Sequence, residues 1–252
     1  MDNFLEDEYF TFDRPVPYKN LLIYPVKIKD YNKLLRYATC FLLDKNSVPD
    51  IKIISMSYLE YLFYLHQQGE PYLYFFSLLL QFVCKVEEND VVFGVNNKGK
   101  PYFSVKGTEY GNADFEKIRD IICQQNMIQL IDETIQKEIR DKMEKAIEYK
   151  RKFENEKPGT IEDKIICILI STPLKLDDIY DLTVRKFDKI LERIDYKLHY
   201  KIYLQAQMSG MVEFKDKNQL KHWMSDLRKN DSFSDVKVDM NEMQAKINNI
   251  NQ

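Results

Sequence analysis

The chain has 252 residues, 44% of them hydrophobic, 31% charged and 13% aromatic, which supplies a buried core and fits one to two domains. Seven Gly and eight Pro exclude a fibrous or low-complexity chain, and 37 basic against 40 acidic residues leave no field of single sign to draw nucleic acid or a membrane. The four cysteines, at 40, 84, 123 and 167, have no paired spacing, which excludes a disulfide scaffold or zinc ribbon and suits a reducing compartment.

Residues 1–13 are acidic and aromatic, the opposite of a secretory signal. Residues 21–28 are apolar and partly β-branched, and Pro25 demotes them to an edge strand or extended arm. Asp30 is expected to cap a helix through about residue 43, with Leu34, Leu35, Ala38, Phe41 and Leu42 on one apolar face. Ser57 and Glu60 form a capping box that starts a helix over 58–68, and Gly69 stops it. A second aromatic helix over 72–83 follows a tight corner; it falls short of the roughly 18–20 apolar residues that span a bilayer and reads as buried. Over 85–106, Val91, Val92, Phe93 and Val95, then a turn-rich stretch to Pro101, then Tyr102, Phe103 and Val105, spell a β-hairpin. Phe115, Ile118, Ile121 and Ile122 share the stripe of a further helix.

A long amphipathic helix is expected over 132–153, and a charged stretch ending in Pro158 and Gly159 marks a linker. Beyond it the chain reads as helical: a short buried helix carrying Ile165, Ile166, Ile168 and Leu169, one or two turns over 177–182, and a longer helix capped by Thr183 and broken at Ser209 and Gly210. A last helix is expected over 218–227 with Trp223. The fold class is therefore α+β and mainly α-helical: an N-terminal α+β domain over 1–156, an all-helical domain over 157–228 and a flexible polar tail over 229–252.

Reactive constellations are sparse. His66 stands at a helix end, where a cation meets the negative end of the dipole, and His199 and His222 each adjoin an aromatic residue; none has a second ligand at a recognised spacing. Ser209 lacks the glycine of a nucleophile elbow, and all four cysteines fall in apolar stripes that predict core positions. The Gly94 to Pro101 stretch follows hairpin logic and departs from a phosphate-binding loop, while Asp177 with Asp178 and Glu87 with Glu88 fit helix starts and turns. No catalytic residue, cofactor or metal site is expected, and the chain is read as a non-enzyme. Residues 161–194 have the order of a helix-turn-helix presenting Arg185, Lys186, Lys189 and Arg193, which would make a DNA-binding regulator; eight acids against six bases over 161–195 argue against phosphate neutralisation.

The unusual feature is aromatic content, 17 Tyr and 15 Phe, with Tyr58, Tyr61, Phe63, Tyr64, Tyr72, Tyr74, Phe75 and Phe76 crowded into two adjacent helices. Tyrosine combines a large apolar body with a polar tip and suits a surface that grips other protein. Tyr61, Tyr64, Tyr72 and Phe75 are the expected partner contacts, against the alternative of an aromatic-rich core.

Residues 14–26 (RPVPYKNLLIYPV), 115–126 (FEKIRDIICQQN), 182–193 (LTVRKFDKILER) and 208–214 (MSGMVEF), with His222 and Trp223, together resemble tail-morphogenesis proteins of bacteriophages of Gram-positive hosts, notably tail assembly chaperones. The resemblance runs to about residue 228 and implies a non-catalytic protein of the host cytoplasm. Its implied partner is the tape measure protein or another tail protein, or a second copy of itself, without nucleic acid or membrane. The N-terminal half is larger than in the small helical chaperones, which a structural tail or baseplate component of the virion would also fit.

Overall fold

The computed structural model describes residues 6–47, 50–131, 141–143, 145–146, 159–209 and 222–225. The chain gathers into two compact units, one of Met1–Glu133 with Asp163–Ile194 and one of Thr134–Glu162 with Asp195–Gln252. The fold is α+β and mainly α-helical, with small antiparallel sheets.

In the first unit a single π-helical turn, Glu6–Phe10, precedes a hairpin of β1 (Val16–Tyr18) and β2 (Leu21–Ile23), so residues 21–28 are extended as expected but shorter in regular pairing. Asp30 does not cap the next helix through its side chain, which instead meets Lys33 at 3.3 Å. A 3₁₀ turn, Ile28–Asp30, leads into α1 (Tyr31–Ala38), and a second 3₁₀ turn, Thr39–Phe41, closes it before residue 43. The apolar face is correspondingly narrower than the spacing suggests: Leu34, Ala38 and Phe41 are buried, whereas Leu35 and Leu42 are exposed.

After the short α2 (Ile51–Ser55) come the aromatic helices α3 (Tyr58–Gln67) and α4 (Tyr72–Cys84). The capping box is formed: Ser57 Oγ accepts the Glu60 N–H at 3.3 Å and Glu60 Oε2 accepts the Ser57 N–H at 2.8 Å. Gly69 stands at φ +86°, the left-handed conformation that ends α3. Helix α4 packs against α1, α3, β2 and β3, which explains why it is apolar on most faces.

The hairpin is present as β3 (Val91–Val95) and β4 (Pro101–Val105), and a third strand unforeseen in the sequence, β5 (Thr108–Tyr110), extends it to the order β3-β4-β5. Asn96 Oδ1 accepts the N–H groups of Lys98 and Lys100, each at 3.0 Å, which holds the turn. The end of the Tyr102 ring lies across Gly94, and a Cβ there would come within 2.7 Å of it and push the ring aside. Helix α5 (Asn112–Gln125) buries the whole predicted stripe of Phe115, Ile118, Ile121 and Ile122.

Three later helices follow, α6 (Ile161–Ser171), α7 (Leu176–Asp181) and α8 (Val184–Met208), the last running from the first unit into the second. Thr183 Oγ1 accepts the Lys186 N–H at 3.2 Å, the expected cap, and α8 ends before Ser209. Within the first unit, Ile28 donates to the Leu182 carbonyl and Val184 to the Val26 carbonyl, each at 2.9 Å. Of the residues expected to make α6 a short buried helix, Ile168 is buried and Ile165 half-buried, whereas Ile166 and Leu169 are exposed. Cys167 is likewise exposed, contrary to its predicted core position, while Cys40, Cys84 and Cys123 are buried. Most of the predicted helix over 132–153, the linker up to Pro158, most of the last helix over 218–227 and the polar tail lie outside the described residues. Among the described residues no helix is long and apolar enough to cross a membrane.

Candidate partner-binding face

The core explains which rings are left for a surface. Phe76 of α4 is sealed, with Phe115, Phe103, Phe41 and Phe93 at ring-centroid distances of 5.0, 5.2, 5.8 and 5.9 Å. Tyr58 is equally sealed; its hydroxyl donates to the Leu43 carbonyl and accepts the Leu43 N–H, and its ring stacks on Phe115. Arg119 lies over the Tyr58 ring at 3.7 Å and donates to the Phe41 carbonyl at 2.8 Å, so this buried cation joins α5, α3 and the 3₁₀ turn after α1. Sequence reasoning did not single out Arg119, which stands inside an apolar stripe as an apparent interruption.

The four expected contact residues meet along the α3–α4 corner. Tyr61 is 6% exposed and stacks on Tyr64 at 6.5 Å with an interplanar angle of 14°. Burial, then Asp44, Tyr72 and Tyr64 nearby, push the Tyr61 phenol above its ordinary pKa, which places these phenols in one neighbourhood. Tyr72 and Phe75 pack edge to face at 6.4 Å, and both are half-buried, as is Tyr64. Tyr61 thus backs the other rings, and the most open member of the group is Tyr74, 56% exposed and 6.4 Å from Phe75. Tyr74 lies off the three-residue spacing that relates Tyr72 to Phe75, so helical periodicity gives no sign of its exposure.

A second feature lies by the β3–β4 turn, a surface pocket of about 360 Å³ lined by Asn96, Lys100, Tyr102, Glu109, Tyr110 and Asn112 among others. Asn112 Nδ2 donates to Glu60 Oε1 at 3.5 Å, whereas its Oδ1 is buried and accepts no hydrogen bond among the described residues. The lining contains no His, Cys or Ser. Beside it, Asp114 accepts from Tyr18 at 2.7 Å, from the Gly111 N–H at 3.0 Å and from Lys19 at 2.6 Å. Burial would raise the Asp114 pKa, but these donors outweigh it and hold the carboxyl below its usual range, while burial and the same contact push Tyr18 up to about 12.

The histidines occupy unremarkable places. His66 is exposed on the last turn of α3, His199 is exposed 3.4 Å from Asp195, and His222 accepts the Met224 N–H at 3.2 Å with its ring 4.9 Å from Tyr200. Among the described residues no three His, Cys, Asp or Glu side chains are grouped to hold a metal ion. Three basic residues of the helix-turn-helix reading have partners within the chain: Arg185 donates to the Gln124 carbonyl at 3.1 Å, the exposed Lys186 pairs with Asp13 at 2.8 Å, and Lys189 pairs with Glu192 of the same helix at 2.8 Å. Asp188 on the same helix turn is held above its usual range by burial.

Fold and face together define a mainly helical protein with an aromatic helical hairpin beside a small sheet. Residues 153–228 match a family model described as the YomV second domain, a family of phage type named for a protein of Bacillus phage SPBc2. No curated protein and no solved structure matches the chain.

Proposed function

We propose that this is a non-catalytic phage tail morphogenesis protein, a tail assembly chaperone that holds apolar helical segments of the tape measure protein in the host cytoplasm. The observation that carries the reading is the α3–α4 corner, where Tyr64, Tyr72 and Phe75 stand half-buried and Tyr74 exposed over the sealed Tyr61. Rigid rings on a packed support offer apolar area with little side-chain entropy to lose, which suits capture of an amphipathic helix. The phage-type match over 153–228 supports the setting, and the excess of acids over bases in 161–195, with Lys186 and Lys189 each paired to a carboxylate, disfavours DNA as the partner.

Mixing the purified protein with fragments of the tape measure protein should raise their solubility. Replacing Tyr64, Tyr72 and Tyr74 together by Ala should abolish the effect while far-UV circular dichroism stays unchanged; loss of even one hot-spot ring costs about 2 kcal/mol, or roughly thirtyfold in affinity. Unchanged aggregation at stoichiometric excess of the wild type refutes chaperoning. Finding the chain in purified particles would favour the structural tail or baseplate component instead.

A further inference from the structure

The sheet β3-β4-β5 leaves β3 as an edge, and that edge lacks the usual protections. Val91–Val95 reads Val-Val-Phe-Gly-Val, with no charge and no proline, and Val92 and Val95 are 53% and 58% exposed. Native edges carry Lys, Pro or bulges because unpaired N–H and C=O groups template another strand.

The register shows which groups are available. Val92 pairs with Ser104 and Gly94 with Tyr102, and the bonds flanking the ladder, Lys106 to the Asp90 carbonyl and Asn96 to the Lys100 carbonyl, put even-numbered residues in the hydrogen-bonded pairs with β4. The N–H and C=O groups of Val91, Phe93 and Val95 therefore point to the open edge. The Val91 N–H is taken by the Glu88 carbonyl, but among the described residues no bond is made by the outward groups of Phe93 and Val95.

We propose that this edge pairs with the same edge of a second copy, antiparallel about Phe93, to give a two-fold dimer with a continuous six-stranded sheet. The argument for a second copy is self-complementarity. Setting Phe93 against Phe93 of the second copy sets Val91 against its Val95, and every residue in these pairs presents its backbone outward. Four hydrogen bonds follow: two between the Phe93 residues, and one from each Val95 N–H to the opposite Val91 carbonyl. Val92 then falls beside Gly94 of the second copy, where the Tyr102 ring covers the glycine and can receive the valine methyls. Charges agree as well, since the same register brings the acidic turn with Glu87, Glu88 and Asp90 alongside the β3–β4 turn of the second copy with Lys98 and Lys100. The aromatic α3–α4 corner plays no part, so this pairing stands or falls apart from the chaperone reading.

Sedimentation equilibrium of the full chain over a range up to several hundred micromolar should show a reversible transition from 30.2 kDa to twice that mass. Val95→Pro removes two of the four seam bonds and no bond to β4, so it should weaken dimerisation by roughly tenfold to a hundredfold. The double variant Val92→Lys with Val95→Lys changes two exposed side chains and should be monomeric with an unaltered far-UV spectrum. In the wild type, amide exchange at Phe93 and Val95 should slow as concentration rises. A wild type that stays monomeric throughout, or a dimer that survives both variants, overturns the proposal. If both variants misfold, exchange at Phe93 and Val95 that does not change with wild-type concentration overturns it equally.

Discussion

Replacing Phe76 by Ala tests whether one ring holds the core of the first unit. Its side chain is fully buried, and its four aromatic neighbours at 5.0–5.9 Å come from α5, β4, β3 and the 3₁₀ turn after α1. Truncating a buried Phe costs about 3–5 kcal/mol, and the spread depends on how far the surroundings collapse into the void. Collapse is hindered here because four separate elements would have to move together, so the upper end, about 5 kcal/mol, is expected. That is a large share of the roughly 5–15 kcal/mol that stabilises a domain. Phe76→Leu, which keeps most of the volume, should cost no more than about 1.5 kcal/mol. Urea unfolding followed by near-UV and far-UV circular dichroism measures both. A Phe76→Ala midpoint shift equivalent to less than about 1 kcal/mol would refute the claim that the four elements are keyed to this ring.

Two further expectations concern titratable groups. Asp114 has a depressed pKa in the folded chain, so its contribution is present above the ordinary carboxylate value of about 4 and is lost as pH falls through the folded value. Asp114→Asn, which loses the pair with the half-exposed Lys19, should cost roughly 0.2–1 kcal/mol at neutral pH and flatten the acid limb of a plot of melting temperature against pH; an unchanged limb contradicts the assignment. Burial pushes the Cys84 and Cys123 thiols up to about 12 and Cys40 well above its ordinary value, while Cys167 is exposed. A thiol-reactive dye at pH near 8 should therefore modify Cys167 alone in the native chain and all four cysteines in denaturant. Rapid native labelling of Cys84 or Cys123 would show that the packing around them is looser than described.

Local chemistry was legible without tertiary information. Ser57 with Glu60, the Thr183 cap, the Gly69 stop and the Asn96 turn each satisfy backbone groups within a few residues, so their partners are written next to them in the chain. The stripe of Phe115, Ile118, Ile121 and Ile122 likewise declares its buried side, because helical spacing fixes which residues share a face. Periodicity does not say how wide the buried face is, and for that reason Leu35, Leu42 and Cys167 came out exposed although they lie on apolar stripes.

What the order of residues determined is the set of elements and their caps, since hydrogen bonds and side-chain spacing within a few positions settle both. Only the tertiary structure decided which rings are sealed and which stand open. Tyr61 and Tyr74 have the same chemistry, but one is backed by Tyr58 and Tyr64 while the other projects from the α4 corner. The same holds for Arg119, whose carbonyl partner is 78 residues away, and for the bare edge of β3, which depends on which strand ends the sheet. Burial and edge status are properties of neighbours distant in sequence, and no local pattern encodes who those neighbours are.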